Sequence, residues 1–323
     1  MNYKNIKYYL GPMTENIIDA VIEYSNETGI LFGFVPSRRQ IEWDGGYTGF
    51  TTHNFINYVR DNSEHIIIER DHAGIGQGKE LDNGMLSILK DAEDNIDLIH
   101  IDPWKIYKNY DDGLRETLDT INFILHINDN INFEVGTEEA ILKFSSIGLY
   151  RLLKDLKNNL GDYFSKIKYA VIQSGTSLQG TKNTGEFNLN RLKEMVEVCN
   201  EFGVMSKEHN GDYLSKKEIQ LRFDNGLNAI NIAPEIGVFE TKLLLDHINN
   251  NEDFETIFNI CVNGGNWRKW VPYNFIPELN KRELIKICGH YHNIEIKKFT
   301  KIDDKFIIVK IKEYLDELAN IIS

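Results

Sequence analysis

Cysteine is scarce in this chain of 323 residues, which contains 3 cysteines at Cys199, Cys261 and Cys288. Because they are odd in number and widely spaced, they indicate neither a disulfide framework nor a cysteine-rich zinc site. Long apolar runs are also missing, since no segment approaches the ~20 apolar residues that a membrane span requires. The first residues include no long apolar segment of the kind found in secretion signals. We therefore expect a soluble protein of the reducing cytoplasm.

Positive charge is in deficit as well. The chain has 36 basic and 49 acidic residues, which gives a formal net charge of −13. A protein without a surplus of basic residues cannot neutralise many phosphates, so nucleic acids and anionic membranes are not expected partners. A small anionic substrate held by local groups stays compatible with this charge. Four basic residues near the predicted site could bind a phosphate: Arg38, Arg39, Lys182 and Lys207.

What the chain does contain is a recurring pattern of apolar strands that end in polar residues. The clearest strand begins at Ile66 and stops at Asp71 and His72, just before a small-residue turn. Segments with helical periodicity separate successive strands, which favours parallel pairing. Eight strands are predicted, at Ile6–Leu10, Ile30–Val35, Ile66–Asp71, Leu98–Asp102, Phe133–Gly136, Tyr169–Gln173, Val204–His209 and Ala229–Ala233.

This alternation predicts an α/β protein, a (β/α)8 TIM barrel, whose active site lies at the carboxyl ends of the strands. Residues 1–250 are predicted to form the barrel, and residues 251–323 are predicted to form a mostly helical C-terminal extension that packs on it. Two polar, glycine-containing segments, 37–49 and 174–185, interrupt the pattern and are candidate functional loops.

The strand ends carry residues that can bind a metal and move a proton. Asp71 and His72 are adjacent at one strand end, and His209 supplies a second imidazole at another. Two such histidines could share a divalent ion. A cation there would stabilise an enediolate that forms when a proton or a carbon fragment leaves, while a nearby carboxylate acts as the base.

Six motifs in order resemble the accessory-subunit family of tagatose-1,6-bisphosphate aldolase, which also includes ketose and ketonate 4-epimerases. The resemblance covers roughly residues 6–244. A more distant likeness to class II aldolases includes Asp71-His72 and His209-Asn210-Gly211. The motifs are Gly45-Gly46-Tyr47-Thr48-Gly49, Asp71-His72-x-Gly74, Ile99-His100-Ile101-Asp102, Gly136-Thr137-Glu138, Gln173-x-Gly175 and Glu208-His209-x-x-Asp212-Tyr213.

The resemblance and the strand-end pattern together imply roles for individual residues. The expected cofactor is one divalent metal ion: zinc, manganese, cobalt or nickel. The expected catalytic residues are Asp71, which resembles the proton-transfer residue of the class II enzymes, and Glu138. The expected metal site comprises His72, Gln173, His209 and Glu134. The expected substrate-binding residues are Gln40, Asp102, Gly175, Asp212, Asn231 and Ala233.

Three departures from the family patterns leave two functions open. Gln173 stands where catalytic class II aldolases carry a further zinc-binding histidine, while Gln179-Gly180 and Glu42 replace an Asp-His pair and an asparagine of the accessory family. The first hypothesis is a metal-dependent epimerase or aldolase that acts on a ketose or ketose phosphate by retro-aldol or enediolate chemistry. The alternative is a non-catalytic subunit that stabilises a separate aldolase. The expected partners are a small sugar or sugar phosphate, and either a homo-oligomer or that separate aldolase subunit.

Overall fold

The computed structural model describes residues 2–78, 82, 84–137, 145–248, 250–271 and 280–321. Eight of the strands among these residues are parallel and form a closed barrel, and two further strands form a small antiparallel hairpin. The barrel strands are β1 Tyr8–Leu10, β2 Phe32–Phe34, β3 Ile66–Ala73, β4 Leu98–Ile101, β5 Asn132–Val135, β6 Ile167–Ile172, β9 Met205–Glu208 and β10 Ala229–Ile232. Around the barrel they lie in the order β1, β10, β9, β6, β5, β4, β3, β2. The hairpin strands are β7 Leu178–Gln179 and β8 Lys182–Asn183.

Helices follow the barrel strands and cover the barrel. Most of them begin with a side-chain cap: the Thr14 hydroxyl, for example, accepts a hydrogen bond from the backbone N–H of Ile17, and Gly29 ends the same helix with φ of 73°. The helices of the barrel are α1 Glu15–Thr28, α2 Thr52–Asn62, α3 Met85–Glu93, α4 Tyr110–Ile127, α5 Ser146–Leu160, α6 Leu189–Phe202, α7 Lys216–Asp224 and α8 Pro234–Leu245. The predicted (β/α)8 barrel is therefore confirmed, and every predicted strand is present, although several are shorter.

The segment 174–185 differs from the irregular loop that the sequence predicts. It contains the hairpin β7–β8, in which Leu178 pairs with Asn183 and Gln179 with Lys182. The Asn183 side chain donates hydrogen bonds to the backbone oxygens of Asn210 and Asp212. The hairpin is thereby tied to the loop that follows β9.

The C-terminal region is mostly helical, with α9 Asn251–Gly264, α10 Lys281–Cys288, α11 Asn293–Ile296 and α12 Asp304–Ala319. The last helix, α12, packs along α1. The Tyr8 hydroxyl donates to the backbone oxygen of Leu318 at 2.9 Å, and the Tyr24 hydroxyl donates to Asp316 at 3.1 Å. Apolar side chains of α12 and of the barrel belong to one continuous buried core. None of the helices among the described residues is long and apolar enough to cross a membrane.

The interior of the barrel is filled in layers. Near the beginnings of the strands lies an apolar layer that includes Tyr9, Ile67, Leu98 and Tyr169. Because alternate residues of a strand face the same side, the next inward-facing positions along β3 and β9 carry Glu69 and Lys207, both fully buried. The polar residues at the carboxyl ends of the strands lie beyond this charged layer.

Candidate active site

A β-bulge in β3 aims two successive side chains at the same place. Arg70 pairs with Ile99 and Ala73 with Ile101, so β3 has one more residue than β4 between these two pairs. A bulge of this kind re-aims side chains that would otherwise alternate between the two faces of a strand. At the bulge His72 adopts a φ of 47°, a backbone conformation that residues other than glycine rarely adopt. Asp71 and His72 consequently both lie at the barrel rim.

Three imidazoles face one another at the carboxyl end of the barrel. The ring centroids are 4.7 Å apart for His72 and His100, 4.9 Å for His100 and His209, and 5.3 Å for His72 and His209. Each of these histidines and Asp71 offers one potential ligand atom, and the four atoms lie within 4.8 Å of one another. The strands β3 and β4 and the end of β9 thus bring a compact set of nitrogen and oxygen donors together.

Each imidazole in this set is anchored through one ring nitrogen. His72 Nδ1 lies 2.8 Å from Asp102 Oδ2, His209 Nε2 lies 2.7 Å from Glu134 Oε1, and His100 Nε2 lies 3.0 Å from the backbone oxygen of Gly136. Histidines that bind metals usually have their second nitrogen bonded to a carboxylate or a carbonyl in this way, which orients the ring. All three rings therefore resemble oriented metal ligands.

His100 provides the most direct test of whether a metal fits. Its side chain is fully buried, and its Nδ1 has no hydrogen-bond partner among the described residues. Burial lowers the pKa of His100 below its usual value, which favours the neutral imidazole that coordinates metals. A buried nitrogen without a partner is costly. A divalent ion would satisfy it, and three imidazoles with a carboxylate suit zinc and similar cations.

The charged layer lies directly below the histidines. Lys207 forms ion pairs with both Glu69 and Glu134, and all three side chains are fully buried. Burial favours a protonated Glu134, but Lys207 and His209 hold its pKa well below the usual range. Burial and the neighbouring Glu134 raise the pKa of Glu69 well above its usual range. Glu134 therefore carries the negative charge that contacts both His209 and Lys207.

Some residues that the sequence assigns to the site have their side chains engaged in their own loops. Gln173, a predicted metal ligand, donates to the backbone oxygen of Thr176 and accepts from the N–H of Gly175. Gln40 accepts from the N–H of Ser37 at 2.6 Å and donates to the sulfur of Met13. Both amides stabilise loop conformations at the rim. Glu134 lies below the potential ligand atoms, where it contacts His209.

Two of the remaining predicted residues support neighbouring groups through hydrogen bonds. Asp102 anchors His72, and Asp212 accepts hydrogen bonds from the N–H groups of Ala233 and Glu235, so that it caps the beginning of α8. Burial and Glu235 raise the pKa of Asp212 to about 7. Asn231 is buried, and its Oδ1 has no partner among the described residues. Glu138 lies outside the described residues.

The backbone at position 175 requires a glycine. Its φ is +117°, and a Cβ added there would lie 1.9 Å from the backbone oxygen of Glu186. This glycine therefore maintains the close approach of two backbone segments in the loop before α6.

His100 is a potential metal ligand that the sequence analysis does not assign. It belongs to the motif Ile99-His100-Ile101-Asp102, but it lies within β4, where a single histidine in an apolar run resembles an ordinary buried side chain. The available signal was its position two residues before Asp102 on the same face of the strand.

A cavity of about 410 Å³ opens above Asp71 and His72. Three basic residues line it, and all three are exposed: Arg39 from the loop after β2, Lys105 from the loop after β4, and Lys269 from the C-terminal region. Arg39 also lines a neighbouring cavity of about 340 Å³ with Tyr47, Asn266 and Tyr291. The rim thus concentrates positive charge on a protein of net charge −13.

The other basic residues proposed to bind phosphate have different surroundings. Arg38 is buried and forms ion pairs with Glu42 at 2.5 Å and Asp82 at 2.7 Å, and Lys207 lies inside the barrel. Lys182 is exposed on the hairpin β7–β8 and does not line the cavity.

Comparisons with known proteins agree on the fold. The sequence matches no protein-family model, and it matches no curated protein. A probable tagatose 6 phosphate kinase from Sinorhizobium meliloti 1021 has a TM-score of 0.69 at 14% identity, covering 96% of this chain and 87% of that chain. The fructuronate-tagaturonate epimerase from Cohnella laeviribosi has a TM-score of 0.61 at 10% identity, covering 98% of this chain and 79% of that chain.

A fructose-bisphosphate aldolase from Campylobacter jejuni has a TM-score of 0.56 at 13% identity, covering 98% of this chain and 90% of that chain. At these identities the comparisons establish a shared fold. Chemistry has to be inferred from the residues of the site, because one barrel fold supports many reactions.

Proposed function

We propose that this protein is a metal-dependent enzyme that breaks, or breaks and re-forms, a carbon–carbon bond of a ketose or ketose phosphate. The observation that carries the proposal is the set of three imidazoles, each anchored through one nitrogen, beside the carboxylate of Asp71. Aldolases and an epimerase among the proteins that share the fold are consistent with this chemistry.

In this proposal His72, His100 and His209 would hold the ion. A cation bound there would act as a Lewis acid and would stabilise negative charge on the sugar oxygens. Asp102, Gly136 and Glu134 keep the three imidazoles oriented, so that little reorganisation accompanies binding. This assignment replaces Gln173 with His100 as the third ligand.

Asp71 is the proposed acid/base. It takes the proton of a sugar hydroxyl, the hydroxyl carbon becomes a carbonyl, and the bond to the neighbouring carbon breaks. The electron pair of that bond stays with the fragment that contains the existing carbonyl group, whose oxygen accepts the charge. In an aldolase that fragment takes up the proton held by Asp71, and the two fragments then leave. In an epimerase the bond re-forms on the opposite face of the new carbonyl, and Asp71 returns the proton.

We further propose that the substrate carries an anionic group. Arg39, Lys105 and Lys269 line the cavity next to Asp71, and charge-assisted hydrogen bonds from such groups bind phosphate or carboxylate strongly. The anionic end of the substrate would lie at these cations and its ketose end at the histidines.

The non-catalytic alternative rests on the family resemblance and on the absence of a histidine after the sixth barrel strand, where Gln173 stands. The second of these grounds is weakened. His100 supplies a third imidazole from β4 instead. A stabilising subunit would not need three oriented imidazoles beside a carboxylate.

The test is metal binding by the purified chain after loading with Zn²⁺, Mn²⁺, Co²⁺ or Ni²⁺, together with turnover of ketoses and ketose phosphates. We expect one ion per chain, and we expect His100→Ala to lose at least about tenfold in metal affinity. Gln173→Ala is the matched control and should retain the parent affinity. A parent chain that binds no metal, or a His100→Ala variant that binds it as the parent does, would refute the assignment.

A further inference from the structure

Lys207 is a fully buried lysine in the middle of β9, inside the barrel. Its position in the strand is two residues before His209, so both side chains face the interior. The proposed reaction does not use its ammonium group, which lies in the layer below the histidines. A buried charge of this kind needs compensation, and a buried ion pair is often no more stabilising than apolar residues of the same volume.

The surroundings of Lys207 connect opposite sides of the barrel. Its ammonium group contacts Glu69 Oε2 and Glu134 Oε2. Glu69 comes from β3, which is separated from β9 by three strands in either direction around the barrel. The ammonium also lies 3.9 Å from the centroid of the Tyr9 ring and 4.8 Å from that of Tyr169. These contacts hold the lysine in one place.

Glu134 connects Lys207 to His209. Its two carboxylate oxygens have different partners: Oε2 faces Lys207, and Oε1 lies 2.7 Å from His209 Nε2. A carboxylate held at one oxygen cannot rotate without breaking that contact. The other oxygen is therefore directed at the imidazole, and the chain of contacts runs from Lys207 through Glu134 to His209.

We propose that Lys207 is a positioning residue, which acts through Glu134 to fix the orientation of the His209 imidazole. The effect of Lys207 on metal affinity rests on the proposed function. The effect of Lys207 on the orientation of His209 does not, because that orientation is a property of the protein without metal. The competing explanation is that Lys207 only fills space and compensates charge in the barrel interior. In that case its removal would change stability and leave His209 unaffected.

The first experiment uses the metal-free full-length chain labelled with ¹⁵N-histidine. The resonance of the His209 ring N–H, assigned with His209→Gln, reports its hydrogen bond to Glu134. Lys207→Met keeps the length of the side chain and removes the charge. Glu69→Gln is the matched control, because it changes the other carboxylate that contacts Lys207, while the Gln amide can still donate the hydrogen bond that Glu69 makes to Glu134.

We expect the His209 N–H resonance to shift or exchange-broaden in Lys207→Met and to stay at its parent position in Glu69→Gln. An unchanged resonance in a folded Lys207→Met protein would overturn the proposal, as would an equal change in Glu69→Gln. This measurement requires no metal. It therefore decides the role of Lys207 even if the parent chain binds no ion and the proposed function fails.

The second experiment is a double-mutant cycle on Co²⁺ affinity, with the visible spectrum of the bound Co²⁺ as a second readout. Lys207→Met and Glu134→Gln should each weaken binding by about 10- to 100-fold. Because Lys207 acts through Glu134, the double variant should bind no more weakly than Glu134→Gln alone. Additive losses would show that Lys207 acts independently of Glu134.

The double variant also covers the case in which Lys207→Met does not fold. It removes one positive and one negative partner together, so the net charge inside the barrel stays that of the parent. Equal Co²⁺ affinity and an equal spectrum in Glu134→Gln and in the double variant support the proposal. A further tenfold loss in the double variant overturns it.

Discussion

Asp102 Oδ2 lies 2.8 Å from His72 Nδ1, and the Asp102 side chain is only 2% exposed while that of His72 is 21% exposed. The carboxylate is thus withdrawn from solvent behind an imidazole that reaches the cavity. Its second oxygen accepts a hydrogen bond from the backbone N–H of Trp104 at 3.3 Å. A carboxylate held in this way orients the ring and increases its strength as a ligand.

Removing this carboxylate should therefore weaken metal binding without removing a ligand. We expect Asp102→Ala to lower the metal affinity by about 10- to 100-fold, as is usual when such a supporting group is lost. Asp102→Asn, whose side-chain oxygen can still accept a hydrogen bond, should lose less. The measurement is competition with a chromogenic chelator, with circular dichroism to establish folding. Parent-like affinity in a folded Asp102→Ala protein would contradict this role.

The barrel was predictable because its physical signals are local. The β-branched run from Ile66 to Ile68 favours a buried strand, and Thr14 and Gly29 mark the two ends of a helix in the sequence itself. The alternation of such elements is sufficient to predict parallel pairing and a shared face of strand ends. Asp71, His72 and His209 could be named from the sequence for this reason.

The full set of residues in the site was harder to predict from the sequence, because it depends on strand register and on side-chain contacts. Whether His100 faces the other histidines depends on its pairing with Glu134 in β5. The bulge at Asp71 and His72 has no characteristic residue type that would predict it from the sequence. Gln173 was assigned to the metal by its position at a strand end, but its amide contacts Thr176 and Gly175. A sequence position places a residue at the rim and does not determine where its side chain points.

Lys269 offers a test of the proposed anionic end of the substrate, because it reaches the cavity from the C-terminal region. Loss of one charge-assisted hydrogen bond costs about 1.5–3 kcal/mol, which is a factor of about 10 or more in affinity. We expect Lys269→Ala to raise KM for a ketose phosphate by about tenfold and to leave the KM for the unphosphorylated ketose unchanged. Lys182→Ala, at an exposed lysine that does not line the cavity, is the matched control. Equal effects on both substrates would contradict an anion-binding role.

His290 should make the stability of the protein depend on pH. The residue is 1% exposed, and neither ring nitrogen has a hydrogen-bond partner among the described residues. Burial, with contributions from Lys269 and His292, lowers the pKa of His290 from 6.5 to about 3. Between these values the unfolded chain binds a proton that the folded chain does not, so stability falls as pH falls below about 6.5.

We expect His290→Leu to reduce this loss. At pH 5 the parent should have lost about 2 kcal/mol of unfolding free energy through His290 that the variant keeps. Denaturant unfolding of the metal-free proteins at pH 7.5 and pH 5 measures the difference. His126→Leu, at an exposed histidine on α4, is the control and should follow the parent. The same pH dependence in His290→Leu and the parent would show that His290 does not cause it.

Asp71 allows the central step of the proposed reaction to be separated from metal binding. Its side chain is 22% exposed, and Oδ1 lies 3.5 Å from His72 Nε2, so a sugar hydroxyl in the cavity can approach both groups. Asn keeps the shape of the side chain but cannot accept a proton. We therefore expect Asp71→Asn to lose about 10²-fold or more in kcat while the metal content stays at one ion per chain. The assay is turnover of fructose 6-phosphate, tagatose 6-phosphate and related ketoses with Mn²⁺, Co²⁺ or Zn²⁺.

Two other roles for Asp71 would give different results. If Asp71 served only the backbone of the bulge, where its N–H donates to the backbone oxygen of Pro36 at 3.0 Å, Asn would serve equally well and kcat would not change. If instead Asp71 acted mainly as a ligand, metal content and kcat would fall together, and restoring the metal by raising its concentration would restore turnover.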